Sequence, residues 1–118
     1  MYGLPSNVNL DFFNDRILLQ ACFGAHDLIL NLEGDIRITV MSSLGCLGPG
    51  GEIHRYVDFQ QAASAVLALL NHRVVSAQGD EAGTLTLRFD GGGVLVIYDD
   101  SKAYESYTIA NGDQMIIV

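Results

Sequence analysis

Tryptophan is absent from this sequence, and proline and cysteine occur only twice each. Two prolines do not make a stiff, proline-rich arm or linker. The two cysteines, Cys22 and Cys46, form no CxxC pair and supply no disulfide framework. Basic residues are scarce as well: six Lys and Arg stand against fourteen Asp and Glu, a net charge of −8. Phosphate backbones are gripped by Lys and Arg, so this balance argues against binding nucleic acid or an anionic membrane surface. No apolar stretch approaches the roughly 20 residues needed to cross a bilayer as a helix. The opening segment, MYGLPSNVNLDFFND, has neither a basic nor an apolar leader region, so no secretory signal is expected and the cytoplasm is the simplest location.

What is present suits a packed core. Of 118 residues, 49% are apolar and 17% charged, which fits one domain spanning residues 1–118. The spacing predicts a helix from Val57 to Arg73. Asp58 is a suitable N-cap, with Gln61 three residues on where a capping box would place it. Phe59, Ala63, Val66, Leu67 and Leu70 then recur on one stripe.

On both sides of that helix the period drops to two. Leu28, Leu30 and Leu32 alternate with Asp27, Ile29, Asn31 and Glu33, and Gly34-Asp35 turns the chain into Ile36-Arg37-Ile38-Thr39-Val40. Leu85, Leu87 and Phe89 do the same before Gly91-Gly92-Gly93 and Val94-Leu95-Val96-Ile97-Tyr98. Both read as β-hairpins. Aligning Arg16 with Arg73 places Leu28 on Leu85 and Leu32 on Phe89. With one glycine of the triplet skipped, Ile36, Ile38 and Val40 meet Val94, Val96 and Tyr98. The match suggests an internally duplicated three-strand meander. Alternation alone would align any two amphipathic hairpins, and the leading strand is the added match. In this alignment Leu95 and Ile97 replace the outward Arg37 and Thr39, so the second hairpin should lie central in its sheet. Its outer apolar face would then meet either the first unit or a second subunit, the latter giving a homodimer. A last hairpin is expected around Asn111-Gly112-Asp113, while Ser42–Gly51 reads as a connector. The fold class is therefore α+β: two similar antiparallel meanders joined by, and packed on, one central helix.

The chemistry-bearing residues form no catalytic frame. The richest polar stretch runs from Tyr98 to Tyr107, and within it Asp99, Asp100, Tyr104, Glu105 and Tyr107 would offer an acidic, aromatic surface to a basic partner. A solvated turn between strands accounts for the same residues. Tyr104 and Tyr107 lie three apart, so in a strand one of them faces the core. Ile53–Tyr56 reads as a loop just before the helix, where His54, Arg55 and Tyr56 would border a pocket between the two β units; a plain surface loop accounts for the same residues. His26, His54 and His72 show no ligand spacing and HExxH is absent. The glycines at 45, 48, 50 and 51 complete no phosphate-binding motif. No cofactor or metal is expected, and no enzyme activity.

The stretch TLTLRFDGGGVLVIYDD, with YESYTIANGDQMIIV after it, resembles small uncharacterised bacterial proteins, some of which are immunity-type partners of secreted toxins. The resemblance covers the last third of the chain. It implies a bacterial cytoplasmic protein that works by binding a protein partner. A small-molecule pocket between the β units is the alternative expectation.

Overall fold

A computed structural model describes residues 3–5 and 7–118. The first meander comprises β1 (Leu18–Phe23), β2 (Leu28–Leu32) and β3 (Ile36–Val40). The next hairpin comprises β4 (Leu44–Leu47) and β5 (Ile53–Tyr56). A second meander follows, β6 (Val74–Gly79), β7 (Leu85–Phe89) and β8 (Val94–Ile97), and then a second hairpin, β9 (Tyr107–Asn111) and β10 (Gln114–Ile117). The class is thus mostly β with one short helix, α1 (Ala63–Leu67).

The strands form two antiparallel sheets of five. One runs β1-β2-β3-β9-β10 and the other β5-β4-β8-β7-β6. Each sheet therefore combines one meander with the hairpin that follows the other meander. The chain crosses between sheets after β3, and crosses back after β8. Leu28, Leu30, Ile38, Val40 and Ile109 from the first sheet meet Leu44, Leu85, Leu87, Leu95 and Ile97 from the second in a single core. Strict alternation dictates this, because every second side chain of a strand points to the same face.

The meanders touch through a reciprocal set of backbone bonds. Leu18 N donates to His72 O at 3.1 Å, and Val74 N to Arg16 O at 2.9 Å. Asn71 N donates to Leu18 O at 2.9 Å, and Asp15 N to Val74 O at 2.8 Å. Asp15 and Asn71 both sit in the left-handed region at φ 67, a conformation Asp and Asn tolerate better than most residues. Ile17 and Arg73 form an isolated antiparallel bridge between them. In each half, a carboxylate after the second strand then accepts the amide of that bridge residue: Glu33 Oε1 from Ile17 N at 3.0 Å, Asp90 Oδ1 from Arg73 N at 3.2 Å. Both leading strands also carry a bulge directly after Leu18 and Val74.

Four expectations change. The helix expected from Val57 to Arg73 is instead a 3-10 turn over Phe59–Ala62 and the short α1. It then tightens through Leu70 and stops at Asn71, whose left-handed backbone delivers its amide to Leu18. Asp58 does cap it, accepting from Gln60 N at 3.0 Å. The buried face is Phe59, Ala62, Val66 and Leu69, while Leu67 is 46% exposed.

The connector expected at Ser42–Gly51 contains β4. Gly45 sits mid-strand because a Cβ there would come within 2.7 Å of Ile53 and 2.9 Å of the Tyr98 hydroxyl. A strand glycine of this kind marks close approach rather than a loop. Ile53–Tyr56, expected as a loop, is β5.

The register of β8 differs too. Phe89 N donates to Gly93 O at 2.8 Å, so no glycine is skipped, and Leu95 and Ile97 face the core opposite Leu87 and Leu85. Val94 and Val96 take the outer face, yet each is only 8% exposed. β8 is central in its sheet, as expected. All four of its residues are covered within the one chain, so the open apolar face that suggested a homodimer is not found at β8.

Candidate functional site

The segment from Asp99 to Tyr107 is the crossing from β8 to β9, and most of its polar groups bond inward. Asp100 accepts from Ser43 Oγ and from Arg55, whose guanidinium also lies 4.0 Å from the centre of the Tyr98 ring. Burial raises the Asp100 pKa, but the hydrogen bonds from Ser43 and Arg55 prevail and hold it below the usual carboxylate value. Asp99 accepts from Gly3 N at 2.9 Å and from Ser106 Oγ at 2.6 Å, fastening the N-terminal segment to the crossing. Glu105 is half-buried, and Tyr104 stands out at 71% exposure.

Tyr107 is not a surface contact. It is fully buried, and its hydroxyl donates to Gly83 O at 2.7 Å. Burial, with the nearby Asp80 charge, pushes its phenol far above the ordinary value. Tyr104 lies in the crossing before β9 and not in a strand, so only Tyr107 of the pair follows a strand's alternation.

His54, Arg55 and Tyr56 do not converge on a pocket. They lie on β5, an edge strand, where consecutive side chains face opposite ways. The His54 ring lies against Gly48, Arg55 belongs to the Asp100 network, and Tyr56 packs on the core.

A concave surface lies elsewhere, between the N-terminal segment and β6. Two clefts of about 490 and 480 Å³ share Val8, Leu10 and Gly79 and together form a groove along the edge of the second sheet. Its apolar lining is Leu4, Pro5, Val8 and Leu10. Leu4 packs where a side chain on Gly79 would stand, and Leu10 and the 3-10 turn Asp11–Phe13 anchor the segment, with Phe13 fully buried. Carboxylates mark both ends: Asp80 and Glu81 at one, Asp11 at the other. Asp80 is held in place, its Oδ1 accepting from Ala82 N and Thr84 N, both at 2.9 Å. Glu81 and Asp11 are exposed. Sequence reasoning missed this groove because it joins segments far apart in the chain, and residues 3–11 show no period. The visible signal was Gly79 at the end of β6.

Cys22 and Cys46 are free thiols. Burial raises Cys46 to about 11, which keeps it protonated and a poor nucleophile. Among the described residues no group of three or more His, Cys, Asp or Glu is placed to hold a metal ion. No helix among them is long and apolar enough to cross a membrane.

No curated protein and no solved structure matches the chain. A family model does match, over residues 14–118, nearly the whole length. The chain belongs to that family, DUF6188, described as a family of unknown function.

Proposed function

We propose that this protein is a non-enzymatic binding domain that takes a basic, partly apolar segment of a protein partner into the groove between its N-terminal segment and β6. The observation that carries the reading is the groove itself, which sets apolar Leu4, Pro5, Val8 and Ala77 among polar Asn9 and Gln78, with carboxylates at both ends. The charge balance supports it, since four of the six cations are engaged within the fold. Arg55 bonds to Asp100, Arg73 to Asp15 O, Arg16 to Phe12 O and Arg37 to Asn31. A net charge of −8 draws a cationic partner from a distance, and the groove then holds it. An immunity-type role in a bacterial cytoplasm, as the resemblance in the last third of the chain implies, is one such use. The two halves are read as copies of one unit, supported by the reciprocal bonds at Asp15–Leu18 and Asn71–Val74.

The test is a titration with a labelled short peptide alternating arginine and leucine. Binding should saturate, and should weaken several-fold between about 0.1 and about 1 M salt, as the screening length falls from ~10 to ~3 Å. Glu81→Lys and Asp11→Lys should each weaken it several-fold with the circular dichroism unchanged. Asp80, Asp99 and Asp100 are unsuitable for reversal because the fold uses their carboxylates. Salt-independent binding, or none by a folded protein, would overturn the proposal.

A further inference from the structure

The reciprocal bonds make the two halves comparable residue by residue, and they diverge at one place. Phe13 N donates to Leu10 O at 3.1 Å and Leu69 N to Val66 O at 3.0 Å. Arg16 N likewise donates to Phe13 O, and His72 N to Leu69 O, both at 3.1 Å. Phe12 and Ala68 are therefore counterparts, and so are Arg16 and His72, which shifts the leading strand by one residue from the expected match of Arg16 with Arg73.

In the first half this position is closed. The Phe12 ring stacks at 4.6 Å from that of Phe13. The Arg16 guanidinium lies over Gly34 and spends its Nε on Phe12 O at 3.2 Å. In the second half the aromatic ring is reduced to the Ala68 methyl and the guanidinium becomes an imidazole. A cleft of about 250 Å³ opens there, walled by Leu47, Ala65, Ala68, Leu69 and Val94.

The imidazole is oriented from behind. His72 Nδ1 lies 2.8 Å from Asp90 Oδ1, and the same oxygen accepts from Arg73 N at 3.2 Å. The His72 hydrogen bond first, then the Arg73 amide, hold the Asp90 carboxyl below its usual value, so it is an acceptor and Nδ1 carries the proton. Such second partners fix which tautomer a histidine presents. In the neutral form of a ring held this way, Nε2 is the hydrogen-bond acceptor. Gly91 keeps the ring in place, since a Cβ there would come within 3.1 Å of Cε1. His72 and Asp90 also line the cleft.

We infer that this cleft is a binding site for a small neutral single-ring molecule carrying a hydroxyl, its ring among Ala65, Ala68, Leu69 and Val94 and its hydroxyl donating to His72 Nε2. A volume near 250 Å³ suits one substituted ring. The apolar wall, with the His72 ring and the negative Asp90 carboxylate at its edge, selects a neutral hydroxyl compound over an anion. The site is separate from the groove at β6 and does not depend on it.

The probe is p-cresol, titrated while imidazole nitrogens are followed in long-range proton–nitrogen NMR spectra. Saturable movement of His72 Nε2 is expected, with toluene, which lacks the hydroxyl, binding about tenfold more weakly. Ala68→Phe should rebuild the closed arrangement of the first half and abolish binding. His72→Gln should weaken p-cresol binding and leave toluene nearly unchanged, which holds the test even where Ala68→Phe disturbs the fold. Peptide binding at the groove should be unaffected by either. No saturable shift at His72, equal affinity for p-cresol and toluene, or undiminished binding by folded Ala68→Phe would each overturn the inference.

Discussion

Asp100 sits between a buried hydroxyl and a guanidinium, and both need its negative charge. Its lowered pKa means that the unfolded chain takes up the proton first as pH falls. The contribution to stability is therefore complete above the unfolded value of about 4 and is lost as pH falls through the folded value. Asp100→Asn should cost about 1 kcal/mol at neutral pH and flatten the acid limb of a stability–pH curve measured by urea denaturation. Tyr107 gives the opposite sign. Its phenol stays protonated in the fold beyond the unfolded value of about 10, so stability should decline as pH rises above that point. Tyr107→Phe should remove the decline but cost about 1–2 kcal/mol at neutral pH, because Gly83 O loses its donor in a buried place. At this scale the sequence said that one of Tyr104 and Tyr107 is core. Which one depends on where β9 begins, and that is set by pairing with β3, which no local pattern records.

Elements were legible where alternation and a turn coincide. β2, β3 and β7 follow the expected pattern, and β9 and β10 flank the expected Asn111-Gly112-Asp113 turn. β4 and β5 were hidden for a physical reason. Gly45 belongs to a strand because other side chains crowd it, and β5 is an edge with Ile53, His54 and Arg55 all exposed, so no alternation survives. The helix was overdrawn because alanines satisfy a helical stripe in several phases at once. The observed face separates them. Val66→Ala should destabilise by about 1–2 kcal/mol, whereas Leu67→Ala should stay within about 0.5 kcal/mol. Thermal denaturation of the two single variants checks this, and the expected stripe, which placed both residues inward, would have made them comparable.

For the whole molecule, the arrangement of sheets decides cooperativity. Neither half holds a complete sheet, since β4 and β5 complete the second and β9 and β10 the first. Equilibrium unfolding should be a single transition, with tyrosine fluorescence and circular dichroism coincident. A fragment ending at Val57 should remain unfolded alone. The candidate site was illegible at the same scale: the groove needs Leu4, Pro5 and Val8 to Asp11 laid against the far end of β6, and only the closed fold brings them together.

Each crossing segment lends a hairpin to the opposite sheet, and that loan has no built-in address. The first sheet will accept β9 and β10 from any copy whose own crossing has swung outward, since the same ladder forms either way. Refolding at high protein concentration should therefore yield some interlocked pairs. Their monomers would be recovered only by unfolding and dilution.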